Sequence, residues 1–110
     1  MHKDIRNVNS QDLYGDDAVI AAAIQETAAA GAHIISMSLG GGAYNSSLDN
    51  AINYAVEQGT TVFAASGNDN SGTLSYPARY DNCIAVGAMS PCNERKSPSS
   101  CDGENFWGSN

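Results

Sequence analysis

The stretch Ala32-His33-Ile34-Ile35-Ser36-Met37-Ser38-Leu39-Gly40-Gly41-Gly42 decides the fold. Its first seven residues are a short apolar run that reads as a buried strand, and the three glycines end it. On the N-terminal side, Val19, Ile20, Ala23, Ile24, Thr27 and Ala28 fall at helical spacing. Acidic Asp16 and Asp17 stand at the start of that helix and Gly31 at its stop. On the C-terminal side, Asn45-Ser46-Ser47 offer capping oxygens for a second helix, and Asp49 suits the positive end of its dipole. Leu48, Ala51, Ile52, Ala55 and Val56 form its apolar face, and Gly59 stops it. A second strand, Thr60-Thr61-Val62-Phe63-Ala64-Ala65-Ser66, breaks at Gly67-Asn68. After a loop through Tyr76-Pro77 comes a third apolar run, Cys83-Ile84-Ala85-Val86-Gly87-Ala88-Met89.

Continuous apolar strands separated by a helix imply a parallel sheet with right-handed crossovers. The class is α/β, a parallel sheet with flanking helices. Residues 1–15 read as a polar, irregular lead-in, 16–89 as the α/β core and 90–110 as a polar, turn-rich loop segment. In such sheets ligands bind beyond the carboxyl ends of the strands. Two of the three strands end there in unusual chemistry, at Ser38-Leu39-Gly40-Gly41-Gly42 and at Ser66-Gly67-Asn68.

Composition narrows the function. The 110 residues carry a net charge of −7, which argues against a nucleic-acid or anionic-membrane surface. No apolar run approaches the roughly 20 residues of a membrane span. Met1-His2-Lys3-Asp4-Ile5-Arg6 has no apolar stretch behind it, so it does not read as a signal peptide. Cys83, Cys92 and Cys101 lack a C-x-x-C pattern, and His2 and His33 are distant, so zinc is disfavoured. A local Cys92–Cys101 bridge in a Pro- and Ser-rich loop fits better and would indicate an oxidising compartment. Cys83, in an apolar run, reads as a small buried hydrophobe.

Strand, glycine turn and helix also describe a phosphate cradle. The spacing speaks against one: Gly40 to Asn45 lacks the last glycine of G-x-G-x-x-G, and no Gly-Lys-Ser/Thr follows. A glycine run does leave backbone groups clear for pairing with an extended peptide. Asn68, directly after a buried strand, reads either as a turn residue or as a side-chain amide able to donate to a developing oxyanion.

Taken together, Ile35-Ser36-Met37-Ser38-Leu39-Gly40-Gly41, Ala64-Ala65-Ser66-Gly67-Asn68, Ser75-Tyr76-Pro77-Ala78-Arg79-Tyr80 and Ile84-Ala85-Val86-Gly87-Ala88 closely resemble the subtilisin-like serine proteases. The match runs from about Gly15 to Ala88 and resumes weakly near Trp107-Gly108-Ser109-Asn110. The resemblance implies a doubly wound subtilisin-like fold, here incomplete, and secretion. It makes Asn68 the oxyanion-hole side chain. It implies a pocket for the residue before the scissile bond, lined by Ser38, Leu39, Gly40, Ala65, Ser66 and Gly67, with Gly41 on the binding strand and Ser75 near the base. It also implies a structural Ca²⁺ or Na⁺ on the backbone carbonyls of Ala78, Tyr80 and Cys83, with no cofactor required for the chemistry.

The family's triad motifs, D-[ST]-G, H-G-T-H and G-T-S-M-A, do not occur in these 110 residues. His33 precedes a buried strand, and Ser36 and Ser38 lie on the binding strand, so none of them substitutes for a triad member. The expectation is an internal slice of a subtilisin-like endopeptidase: a peptide-binding groove with an oxyanion donor, completed by the other segments of the protease domain. Alone it would be inactive, and its sheet edges, including that of the strand at 34–38, would be open to self-association. The rival is a non-catalytic peptide-binding α/β module.

Overall fold

The computed structural model describes residues 5–8 and 17–110, with side chains from Asp17 onward. Asp16, read as part of the helix start, and His2 lie outside the described residues. The elements run β1 (Ile5–Val8), α1 (Asp17–Ala29), β2 (Ile34–Met37), α2 (Ser46–Glu57), β3 (Thr61–Ala65) and β4 (Ile84–Val86). One parallel sheet takes the order β1-β2-β3-β4, with Ile35 opposite Val62 and Ala64 opposite Ala85.

Because the order never reverses, right-handed crossovers put α1 and α2 on one face of the sheet, where they pack against each other. Ile24, Ile35, Ala51, Ile52 and Ala55 are fully buried in that layer, with Met37, Val62 and Ala64 nearly so. Alternation along β2 and β3 turns Ile34, Ser36, Phe63 and Ala65 to the other face, where they are half-buried.

Three expectations change. The lead-in is not wholly irregular: β1 pairs in parallel with β2, so the β2 edge is closed and the sheet ends at β1 and β4. Val19, assigned to the apolar face of the first helix, is 65% exposed, and Ala21 takes the buried position. Val19 is one turn before the half-buried Ala23, at the edge of the stripe, and Val56 is likewise exposed. The apolar run 83–89 yields only a three-residue strand, and Ile84 and Val86 are 48% and 51% exposed.

The punctuation is as the sequence implies. The Asn45 side chain accepts the Leu48 N–H at 3.1 Å and caps α2. Asn45 is itself fixed by Tyr80, whose hydroxyl donates to the Asn45 carbonyl at 2.9 Å and accepts its N–H at 2.8 Å. Burial of that hydroxyl, only partly offset by its bond to Asn45, raises the Tyr80 pKa. Tyr80 thereby ties the Tyr76-Pro77 loop to the start of α2.

Candidate functional site

The carboxyl ends of β2 and β3 open into a cleft of about 310 Å³ lined by Ser38, Leu39, Gly40, Ala65, Gly67, Asn68, Asp69 and Ser75. Ser38, Leu39 and Gly40 leave β2, and Ala65, Gly67 and Asn68 leave β3. Ser75 arrives from the following loop, where its N–H donates to the Ser66 carbonyl at 3.0 Å. Sheet register sets this meeting, because Met37 and Ala64 are paired neighbours and the chain diverges just beyond both.

Six of the eight substrate-binding residues expected from the sequence line the cleft; Gly41 and Ser66 do not. Gly41 faces the other way, giving its N–H to the Tyr76 carbonyl at 2.9 Å and accepting the Tyr76 N–H at 2.8 Å. Both of its backbone groups are committed, whereas those of Gly40, one residue earlier, have no hydrogen bond among the described residues. Ser66 is buried, with its Oγ 3.3 Å from Ser109 Oγ and its N–H on the Val86 carbonyl. It supports the floor from beneath. Asp69 was not anticipated, and it brings the one charge among the lining residues.

Gly67 is required by its neighbours. Its φ is +114°, and a Cβ there would stand 2.5 Å from Ser75 Oγ and closer still to the Asn110 amide nitrogen. Asn68 is exposed at the mouth, and no hydrogen bond holds its side-chain amide among the described residues. An uncommitted donor at the edge of a cleft is what an oxyanion hole needs before substrate arrives. His33 is exposed, and its carbonyl accepts the Thr61 N–H in the sheet.

Around the cis Tyr76-Pro77 bond the chain makes two successive turns, Tyr80 N–H to Pro77 carbonyl and Cys83 N–H to Tyr80 carbonyl, each 3.1 Å. Ala78, Tyr80 and Cys83 are all buried there. No three His, Cys, Asp or Glu side chains cluster to hold a metal among the described residues. Cys83 is a free, buried thiol whose pKa is pushed up to about 11 by desolvation.

Segment 90–110 is organised by polar contacts. Cys92 and Cys101 form a disulfide across Cα atoms 6.4 Å apart, as the sequence suggested. Inside the loop so closed lies Lys96, only 1% exposed. Its ammonium spends its donors on the Ser97 carbonyl (2.9 Å), the Glu104 carbonyl (2.7 Å) and Asp102 Oδ1 (3.1 Å), under the Trp107 ring. Desolvation works against the Asp102 carboxylate, but the Glu104 N–H and the Lys96 ammonium outweigh it and hold its pKa below the ordinary value. Arg95 donates to the Ser109 carbonyl and, at 2.8 Å, to Asn70 Oδ1. Asn110 then reaches the cleft: its Oδ1 accepts the N–H groups of Asp69 and Ser71 at 2.9 and 3.0 Å. Sequence reading missed Arg95, Lys96, Ser109 and Asn110. The weak similarity near Trp107 to Asn110 was the available signal.

Residues 5–109 match the peptidase S8 subtilase family. Subtilisin Savinase of Lederbergia lenta is 46% identical over 67 residues, 61% of this chain and 25% of that protein. Thermitase of Thermoactinomyces vulgaris is 46% identical over 78 residues, 71% of this chain and 28% of its own length. Among solved structures, Sphericase aligns at a TM-score of 0.65 and 44% identity over 70% of this chain and 27% of that one. The self-cleaved protease domain of PatA aligns at a TM-score of 0.70 and 29% identity, over 77% and 34% of the two chains. The chain thus spans about a quarter of the length of the curated relatives quoted. With the parallel sheet, the cleft at its strand ends and a family match across nearly the whole sequence, the chain belongs to the subtilase family of serine proteases.

Proposed function

We propose that this chain is the substrate-binding and oxyanion-hole portion of a subtilisin-like serine endopeptidase, with the triad Asp, His and Ser supplied by other segments of the protease domain. The reading rests on one observation: the uncommitted Asn68 amide stands at the mouth of a cleft built from the ends of β2 and β3. A substrate strand would pair with the free backbone of Gly40 and drop one side chain between Ser38–Gly40 and Ala65–Gly67. Asn68 would donate to the carbonyl oxygen as it becomes tetrahedral and negative. The small, largely uncharged walls take a medium or large apolar side chain, and Asp69 at the rim disfavours an acidic one.

The half-exposed Ile84 and Val86 support the partner assignment, since an apolar strand with both faces open is a surface made to be covered. In the isolated chain the same β4 edge favours self-association. Carbonyls of Ala78, Tyr80 and Cys83 could hold Ca²⁺ or Na⁺; among the described residues no carboxylate cluster strengthens such a site. The disulfide fits a secreted, oxidising setting.

Two measurements on the 110-residue chain test the proposal. A fluorophosphonate probe leaves no mass adduct, and titration with an extended apolar tetrapeptide amide shifts the amide resonances of Gly40, Ala65, Gly67 and Asn68. A stoichiometric adduct, lost when one serine is replaced, contradicts the absence of a nucleophile. Peptide-induced shifts confined to other surfaces contradict the assigned groove.

A further inference from the structure

We infer that Asn110 is the positioning residue for Asn68, fixing the backbone on both sides of it so that an otherwise untethered side chain points at one place. This rests on Asn68 being the oxyanion donor, and it assigns a task to a residue far away in sequence.

A residue's two soft dihedrals set the peptide planes before and after it and aim its Cα–Cβ bond, which limits the rotamers open to the side chain. The plane before Asn68 carries the Gly67 carbonyl, and the plane after it carries the Asp69 N–H. Asn110 bonds to both: its N–H donates to the Gly67 carbonyl at 3.0 Å, and its Oδ1 accepts the Asp69 N–H at 2.9 Å. The same oxygen accepts the Ser71 N–H at 3.0 Å, which stops the outgoing loop from swinging. No hydrogen bond constrains the Asn68 side chain among the described residues, so the direction of its Cα–Cβ bond is the part of its aim that the structure fixes.

Asn110 is held in turn. The Asn70 N–H donates to the Gly108 carbonyl at 3.0 Å, making a parallel bridge between Asp69 and Gly108. Arg95 spans Asn70 Oδ1 and the Ser109 carbonyl. Ser109 is 1% exposed, with its N–H on the Lys96 carbonyl at 2.8 Å and its Oγ accepting the Ala88 N–H at 2.9 Å. The clamp therefore stands on the disulfide-closed segment and reaches across to the strand end. Glycine at position 67 completes it, because a Cβ there would strike the Asn110 amide. An oxyanion donor works because it need not reorganise in the transition state. Angular freedom at Asn68 should therefore appear in turnover more than in substrate binding.

The first arm uses the 110-residue chain and requires no catalysis. Hydrogen exchange at the Asp69 and Ser71 amides should accelerate at least tenfold in Asn110→Ala, while the amides of β2 and β3 keep their protection. Asn110→Asp, which retains the acceptor oxygen, should recover most of the slowing. Unchanged exchange at Asp69 and Ser71, or β2 and β3 protection lost in both variants, overturns the clamp. The second arm is a double-mutant cycle in the complete protease domain. Asn110→Ala should lower kcat by roughly tenfold, with KM within about twofold, and should add no further loss in an Asn68→Ala background. An equal loss in that background shows a general structural role and overturns the inference alone. An Asn68→Ala variant with undiminished kcat overturns the oxyanion reading on which the inference rests, whatever the exchange data show.

Discussion

The helix-covered half of the molecule, from Asp17 to Ala65, and the closing segment 90–110 reach order by different means. In the first, Ile24, Ile35, Ala51, Ile52 and Ala55 bury completely, and the two helices seal one face of the sheet. In the second, the fully buried large side chain is a lysine, surrounded by two carbonyls and a carboxylate inside a disulfide loop. Apolar packing is non-directional and tolerates many sequences, whereas a buried ammonium is stable only if each donor finds its partner. The cleft lies between these halves. The packed half supplies one wall, Ser38 to Gly40 with Ala65, and the polar half supplies Asn110, whose contacts hold the Gly67–Asp69 turn.

The contrast can be broken most forcefully from the packed side. Ile52→Ala removes a fully buried side chain of the core cluster and should cost roughly 2–5 kcal/mol, loosening the entire domain. Thermal or denaturant unfolding read by far-UV circular dichroism should show the loss. A change below about 1 kcal/mol would mean that this layer is not the stabilising core.

Replacing Cys92 and Cys101 by serine should act next in size and more locally. Opening a loop of this length removes about 2–3 kcal/mol of chain restriction. Because few apolar contacts join this segment to the core, exchange protection should fall over residues 90–110 while β2 and β3 keep theirs. Global unfolding on that change would erase the distinction between the halves.

Acid should loosen the same segment. Folding lowers the Asp102 pKa, so its contribution is fully present above the unfolded value and disappears as pH falls through the folded one. A titration from pH 6 downward, following the Glu104 and Trp107 resonances, should show these contacts released below the usual aspartate range. Asp102→Asn should flatten that local transition. A pH-independent segment would remove Asp102 from the account. The smallest effect belongs to Val19: at 65% exposure, Val19→Lys should change stability by no more than about 0.5 kcal/mol. A larger loss would return it to the core face that the sequence assigned.

These two modes of order also explain what could be read in advance. The two helices, the Asn45 cap of α2, the glycine stops and the strands β2 and β3 follow from periodicity and local backbone chemistry, and they match. Val19 and Val56 were misplaced because periodicity gives a stripe's direction but not its width, which the neighbouring helix decides. β1 was passed over because Ile5-Arg6-Asn7-Val8 is short and mixed, and its pairing with β2 is a long-range event. In the cleft, residue types pointed to Asn68 and the small walls, whereas nothing local to Gly41 announces its pairing with Tyr76, 35 positions away. Asn110 was illegible for the same reason: an asparagine's value as a clamp lies entirely in which distant amides it meets.

The most direct test of the account is Asn68→Ala in the complete protease domain, with kcat and KM measured on one apolar peptide substrate. Loss of the oxyanion donor should lower kcat by roughly 10²–10³-fold, about 2.7–4 kcal/mol in the barrier, and move KM little; this magnitude is carried over from the corresponding asparagine of a subtilisin itself. A kcat within about twofold of the unmodified enzyme would contradict it, and Asn68 would then be only the turn residue that ends β3.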